Sequence, residues 1–118
     1  MHIDPIGLNK RSQWTQAELL VAQEYINEWW TLREHSYCVR WGELDLVLER
    51  DGCLVCVEVK VVDGIDDLHW YLTPKKLGRI HRTFMRYVYS LPKRYDLRID
   101  IVFVRNSTIL TRVENIEF

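Results

Sequence analysis

The chain has 118 residues, of which 47% are hydrophobic and 28% are charged, a composition typical of one ordinary globular domain. Sixteen Lys and Arg against seventeen Asp and Glu give a net charge of −1, which argues against a general nucleic-acid binder, since such proteins are usually basic. No apolar run approaches the ~20 residues that a membrane helix needs, and the first residues lack the apolar core of a secretory signal. We therefore expect a cytoplasmic protein with no membrane partner and one domain over residues 1–118, of which 1–14 form an irregular arm.

The first predicted element is a helix over residues 16–31. Thr15 and Glu18 have the spacing of a capping box, and apolar residues then recur at helical intervals as far as Trp30. The next stretch, 36–41, has the composition of a strand and ends before a glycine.

Two further strands are predicted to form a tight hairpin. Residues 43–49 alternate between polar and apolar side chains, as a strand with one buried face does. Asp51-Gly52 is a dipeptide favoured in two-residue type I′ turns, and a β-branched run over residues 53–62 follows it.

The second half of the chain contributes one helix and two strands. Thr73-Pro74 is a helix start, with Thr as the N-cap and Pro at the first helical position, and the helix is expected to end near Ser90. Strands are predicted over 98–104 and 109–114. The order αβββαββ predicts an α/β (α+β) fold with a mixed central sheet flanked by helices.

The hairpin register gathers four polar side chains on one face. With a two-residue turn, Asp45 lies opposite Glu58 and Glu43 lies opposite Lys60. Opposed residues on one face have Cβ atoms ~4.5–5.5 Å apart, so the two carboxylates repel each other unless a cation lies between them. The other face is apolar and is expected to be the core side; it carries Leu44, Leu46, Leu48, Val55, Val57 and Val59.

Facing carboxylates beside a lysine indicate a divalent metal site for phosphodiester hydrolysis. Mg²⁺, for which Mn²⁺ can substitute, is typically held by one or two carboxylates, waters and a substrate phosphate. The predicted ligands are Asp45 and Glu58, with the Val59 carbonyl as a further candidate, and Lys60 would position the nucleophilic water. The alternative is a solvated polar face with a Glu43–Lys60 ion pair worth ~0.2–1 kcal/mol. No small-molecule organic cofactor is expected.

Two blocks of this hairpin resemble a known nuclease pattern. Gly42-Glu-Leu-Asp45 followed by Val57-Glu-Val-Lys60 resembles the Asp…(Asp/Glu)-x-Lys core of the PD-(D/E)XK nuclease superfamily. Over residues 17–104 the chain more narrowly resembles the YraN-like endonuclease family. Thr73-Pro-Lys-Lys76 is similar to the start of that family's second helix, and Arg98–Val102 is similar to one of its strands.

The resemblance implies a restriction-endonuclease-like fold acting on DNA. It assigns Asp45, Glu58 and Lys60 to the catalytic set and Glu43 to an accessory role. Archaeal-type Holliday junction resolvases are similar in core and size and take an acidic or hydroxyl residue from the first helix, which makes Glu18 a candidate beside its capping-box role. From this likeness we expect branched or junction DNA as the substrate and, since a junction cutter needs two active sites, a homodimer.

The second helix carries a basic stripe. Lys75, Arg79, Arg82 and Arg86 recur at helical spacing opposite the apolar positions, with Lys76 beside them, and the helix has no acidic residue. A solvated helix face is the alternative, but a field of one sign favours a surface that follows phosphates, so these five residues are predicted to bind DNA.

The net charge of −1 conceals a segregation of charge along the chain. Residues 43–67 hold eight acids and two bases, a local −6, whereas residues 75–98 hold eight bases and one acid, a local +7. A near-neutral total is therefore compatible with nucleic-acid binding. We predict a Mg²⁺-dependent endodeoxyribonuclease of repair or recombination; the alternatives are a non-catalytic nucleic-acid-binding module of the same fold and a structural partner in a larger assembly.

The cysteines and tryptophans are assigned to packing. Three cysteines cannot all pair, which indicates a reducing compartment, and the Cys53-Leu-Val-Cys56 motif lacks the further ligands of a zinc site. The side chains of Trp29, Trp30 and Trp41 are predicted to be core or dimer-contact residues rather than base-stacking platforms, because bulky aromatic residues are mostly buried.

Overall fold

A five-stranded mixed sheet forms the centre of the structure, a computed structural model that describes residues 13–63 and 72–117. Its strand order is β1-β2-β3-β4-β5, with β3 and β4 parallel and the other neighbours antiparallel. Within the described residues the elements are α1 (Gln16–Asn27), β1 (Thr31–Val39), β2 (Gly42–Arg50), β3 (Cys53–Val61), α2 (Pro74–Val88), β4 (Asp96–Arg105) and β5 (Thr108–Val113). The predicted order αβββαββ and fold class are confirmed. Except for Gln13 and Trp14, the predicted N-terminal arm lies outside the described residues.

The two helices cover opposite faces of the sheet. The α1 face is closed by a cluster that includes Val21, Ala22, Tyr25, Trp30, Leu46, Leu48, Val55 and Val57. The α2 face is closed by a second cluster that includes Leu44, Val47, Leu54, Cys56, Ile80, Phe84, Tyr87 and Ile99. Neither helix of the described residues has the length and apolar character that a membrane crossing requires.

The hairpin between β2 and β3 has the predicted turn and, over most of its length, the predicted register. Asp51 and Gly52 have φ values of 51° and 79°, the positive values that a type I′ turn needs at both central residues. The ladder runs from Arg50–Cys53 to Leu46–Val57 and ends there. The predicted ladder pairs beyond it, Asp45 with Glu58 and Glu43 with Lys60, are therefore not formed.

The prediction of a single core face for this hairpin is wrong at two points. Val47 and Cys56 on the supposed polar face are fully buried, because α2 packs over that face as α1 packs over the other. Leu44 packs in the α2-side cluster and not with Leu46, because the regular alternation breaks at the intervening residue. At the same point Ser36 of the adjacent strand β1 has a φ of 54°, so the backbone is locally twisted there.

Helix α1 begins at its predicted capping box but ends four residues before the predicted end. The Trp30 N–H donates to the Tyr25 carbonyl and the Trp29 N–H donates to the Ile26 carbonyl, each at 3.1 Å. These two bonds form a Schellman motif, in which Trp29 occupies with a φ of 74° the left-handed position that glycine usually fills. The sequence gives no signal for the end of α1, because the left-handed position holds Trp29 and not a glycine.

The early end of α1 lengthens the first strand and changes the environment of the tryptophans. β1 spans Thr31–Val39 rather than 36–41, so Trp41 lies in the β1–β2 turn. Trp30 is 3% exposed, as predicted for a core residue, but Trp29 is 86% exposed and Trp41 is 49% exposed. Of the two predicted roles, core or dimer contact, the core role is therefore wrong for Trp29 and Trp41, and the dimer-contact role stays a prediction.

A buried carboxylate joins α1 to the far part of the sheet. Asp100 on β4 is fully buried and accepts hydrogen bonds from the Tyr25 hydroxyl at 2.6 Å, from Arg98 Nε and Nη2 at 3.0 and 2.8 Å, and from the Asn115 N–H at 3.0 Å. Both oxygens are thus satisfied, as a buried charge requires. Its role is structural.

We expect Trp29→Gly to raise the free energy of unfolding by about 1 kcal/mol, because glycine adopts a positive φ without the steric cost of a Cβ. Little burial is lost, since the indole is exposed. Urea denaturation measures the change. Trp29→Ala is the matched control, because alanine retains the Cβ and should bring no such gain. An equal gain in both variants would contradict the backbone explanation.

Candidate active site

A cleft of about 460 Å³ opens on the α2 face of the sheet, where the β2–β3 ladder ends. The β1–β2 turn, the starts of β2 and α2 and the end of β3 form its walls. It is lined by Val39, Arg40, Trp41, Gly42, Glu43, Asp45, Glu58, Lys60, Lys76, Arg79 and Ile80. The structure thus brings the four polar residues of the predicted hairpin together with two of the predicted basic residues of α2.

Asp45 and Glu58 are linked by hydrogen bonds that take the place of the missing ladder pair. Asp45 Oδ2 accepts from the Val59 N–H at 2.8 Å, and Glu58 Oε1 accepts from the Asp45 N–H at 3.5 Å. The predicted juxtaposition of the two carboxylates is therefore present, through side chain–backbone bonds rather than through a regular ladder.

Burial raises the pKa of both carboxyl groups, and neighbouring negative charges raise it further. The pKa of Glu58, which is 5% exposed, lies well above its ordinary value, first because of burial and then because of the neighbouring charge of Asp45. The pKa of Asp45 is raised first by burial, then by the charges of Glu18 and Glu43. The Lys60 ammonium acts in the opposite direction on both groups. A second positive charge at this point would relieve the repulsion.

The donor set fits a hard divalent cation that retains water ligands. Among residues 13–63 and 72–117 no group of three or more His, Cys, Asp and Glu side chains is arranged to hold a metal ion. The predicted ligands in the cleft are the carboxylates of Asp45 and Glu58, with the Val59 carbonyl as a further candidate. Mg²⁺ suits such a set, because it commonly binds through one or two carboxylates and completes its shell with water and phosphate oxygens.

The two remaining carboxylate candidates lie in different places. Glu43 lines the cleft beside Lys60. Glu18 lies at the start of α1 and completes the predicted capping box: its Oε1 accepts from the Thr15 N–H at 3.0 Å and lies 3.2 Å from His35 Nε2. Its carboxylate is thus held outside the cleft, and it acts on Asp45 through charge.

The basic stripe of α2 leads away from the cleft. Lys76 and Arg79 line the cleft, and Lys75, Arg82 and Arg86 are exposed along the same helix. Within the described part of the chain, none of the ion pairs involves Lys75, Arg79, Arg82 or Arg86. The surface beside the carboxylate pair is therefore positively charged, as a phosphate-binding surface would be.

The sequence does not predict two features of the cleft. The predicted strand over 36–41 includes Arg40 and Trp41, but these residues form the turn that closes one wall. The backbone at Gly42 lies directly against the Thr83 side chain of α2, since a Cβ built on Gly42 would come within 2.1 Å of Thr83 Oγ1. The only signal in the sequence is Gly42 itself, which predicts a strand break but does not indicate a close contact.

Comparison with known proteins gives a family without an assigned activity. A family model described as "Uncharacterised protein family UPF0102" matches residues 17–104. A UPF0102 protein of Parasynechococcus marenigrum is 34% identical over 80 residues, which cover 68% of this chain and 60% of the relative. UPF0102 proteins of Syntrophomonas wolfei and of a Nitratiruptor species are 31% and 29% identical, covering 74% and 77% of this chain and 78% and 80% of those relatives. Their names state no substrate.

We expect the metal-free protein to lose stability as the pH rises above about 4, since folding raises the pKa of two carboxyl groups whose ordinary values are 3.8 and 4.5. A folded state that holds more protons than the unfolded state is stabilised at low pH, and this contribution is lost as the pH rises through the raised pKa values. Glu58→Gln should flatten this dependence and, at high pH, stabilise the metal-free protein by roughly 1–3 kcal/mol.

The measurement is urea denaturation across the pH range with EDTA, repeated with Mg²⁺. Mg²⁺ should stabilise the wild type at high pH and should have a much smaller effect on Glu58→Gln. Glu114→Gln, which changes an exposed carboxylate outside the cleft, should keep the wild-type profile. Parallel profiles for the wild type and Glu58→Gln would contradict the interpretation.

Proposed function

This chain belongs to the uncharacterised protein family UPF0102, a name that assigns no activity, and we propose from its cleft that it is a metal-dependent endodeoxyribonuclease. The observation that carries the proposal is the burial of Glu58 beside Asp45 in a cleft that also contains Lys60 and the first bases of α2. This arrangement provides for a cation, a water molecule and a phosphate within one cleft, which are the requirements of phosphodiester hydrolysis.

The carboxylate pair is difficult to explain by stability. Two like charges held together away from water are destabilising, and Glu58 has fewer donors than the buried Asp100, whose carboxylate accepts four hydrogen bonds from three neighbouring residues. Carboxyl groups with strongly raised pKa values in a cleft are concentrated at functional sites. The solvated polar face considered from the sequence does not account for Glu58, because its side chain is buried.

The roles of the cleft residues follow from their positions. Asp45 and Glu58 hold the cation, with the Val59 carbonyl as a further ligand. When bound, a divalent cation polarises the phosphoryl group and lowers the pKa of a water molecule, so that a nucleophile is available near neutral pH. Lys60 orients that water and balances the carboxylate charge, and the bases of α2 hold the phosphate backbone. Glu43, from the cleft wall, is an accessory to this set.

The resemblance to the PD-(D/E)XK superfamily supports DNA as the substrate, and the resemblance to Holliday junction resolvases supports branched or junction DNA. A junction presents two strands for symmetric cutting, so this preference implies a homodimer with two clefts. Glu18 would contribute to the site through its charge on Asp45.

We expect Asp45→Ala and Lys60→Ala to lose cleavage by about 10²–10⁴-fold, because one removes a metal ligand and the other removes the group that positions the nucleophile. Both variants should retain DNA binding, since the bases of α2 are unchanged. The measurement is a cleavage screen over linear, flapped and four-way DNA with Mg²⁺ or Mn²⁺, together with a binding assay on the same DNAs.

Asp96→Ala is the matched control, because Asp96 is an exposed acid that pairs with Cys53 at the turn end of the sheet. It should cleave like the wild type. If the wild type binds DNA but cuts none of these substrates with either metal ion, the nuclease proposal fails and the non-catalytic binding module replaces it.

Substituting Lys75, Arg79 and Arg82 together by alanine should weaken DNA binding and flatten its salt dependence. Each lost phosphate contact should reduce the slope of log K against log salt by ~0.9 on duplex DNA. The control replaces Lys93, Arg94 and Arg105, which removes the same charge outside the stripe. Equal slopes for the two triple variants would show a general charge effect and contradict a phosphate-binding stripe.

A further inference from the structure

Trp41 stands in the wall of the cleft and is half exposed, at 49%. It belongs to neither of the apolar clusters that close the two faces of the sheet. Val39 and Ile80 are the other apolar side chains of the lining, and the remaining side chains are charged, with Arg40 beside Trp41 in the chain and the carboxylate pair in the same cavity. An exposed indole at such a place is suited to bind a flat apolar group of a ligand that is also charged.

The backbone that carries Trp41 is held firmly against α2. A Cβ on the next residue, Gly42, would meet Thr83 Oγ1 at 2.1 Å, so the turn and the helix are in direct contact. Thr83 is fully buried and its hydroxyl donates to the Arg79 carbonyl at 2.9 Å. Trp41 and Arg79 therefore line the same cleft from two segments that meet where Gly42 packs against the Thr83 side chain.

We propose that Trp41 stacks on an unpaired base beside the phosphate bound in the cleft, so that the substrate is DNA with an unpaired nucleotide at the cleavage point. This inference rests on the proposed function and narrows its substrate class. In a duplex the base faces are covered by neighbouring bases, so an aromatic side chain can stack only on a base that is unpaired or turned out of the helix. Stacking on an aromatic ring is tolerant of sequence, because every base has a flat face.

Alternative roles for Trp41 make different predictions. A dimer contact would change the oligomeric state when the indole is removed and would affect all DNA substrates alike. If the indole is purely structural, its removal should lower the stability of the protein and should weaken binding equally with and without the unpaired base. Base stacking alone predicts a loss that requires both the indole and an unpaired base.

The test measures binding by fluorescence anisotropy on three labelled DNAs: a duplex, the same duplex with an unpaired flap, and that flap with abasic sites in place of its unpaired nucleotides. Trp41→Ala should weaken binding to the flap about tenfold, within the roughly 5- to 150-fold that loss of a base–aromatic stack costs. Its binding to the duplex and to the abasic flap should equal that of the wild type. Trp41→Phe should recover part of the loss.

Trp29→Ala is the matched control, because Trp29 is a more exposed tryptophan that lies beside Thr31 and the Glu49–Asp51 turn, at the other end of the sheet. It should bind all three DNAs like the wild type. An equal loss on all three DNAs for Trp41→Ala, no loss on any of them, or a change from dimer to monomer by light scattering would overturn the inference.

The binding assay does not depend on cleavage, so the two proposals fail separately. If stacking fails while Asp45→Ala still abolishes cutting, the nuclease proposal stands and only the substrate class is wrong. If no DNA is cut but the base-dependent loss is found, the stacking role stands within a binding module. Absence of DNA binding by the wild type would overturn both.

Discussion

The placement of two acids side by side, the buried Glu58 and the partly buried Asp45, is the constraint on which this end of the sheet depends. It ends the β2–β3 ladder, because Asp45 accepts the Val59 N–H where a regular pair would otherwise form. The cleft opens where the two strands separate, and the first turns of α2 bring positive charge to it. Acids of the hairpin and bases of α2 thus meet at one cavity, so a total charge near zero coexists with strong local fields.

Two buried acids of the sheet, Asp100 and Glu58, have different surroundings. Asp100 accepts hydrogen bonds from donors on α1, on β4 and in the segment after β5, so its carboxylate links these three parts of the structure. Glu58 is also buried but lies beside another acid, and burial together with the charge of Asp45 raises its pKa. Asp45 and Glu58 lie at the edge of the apolar cluster that buries Val47 and Cys56 on the α2 face. These surroundings of low polarity would strengthen the attraction between the two carboxylates and a cation.

Local patterns in the sequence were sufficient for the parts of the fold that local chemistry determines. Asp51-Gly52 set the turn and hence the register, and Thr73-Pro74 marked the start of α2, because turn and cap geometries depend on a few adjacent residues. The errors have tertiary causes. Trp29 adopts a left-handed conformation that tryptophan rarely takes. The face on which Leu44 packs follows a twist next to it in the sheet, at Ser36 of β1, and Trp41 lies in a turn because β1 ends before it.

The parallel pairing of β3 with β4 has a consequence for the order of folding. Every pair in that ladder joins residues 43 positions apart, as Cys53 with Asp96, whereas β2 and β3 are joined through a two-residue turn. Closing a long connection costs more chain entropy than closing a tight turn, so the hairpin with both acids should form first. The α2 crossover would then bring the bases against a carboxylate pair that already exists, so the proposed cation site would form before the proposed phosphate-binding surface.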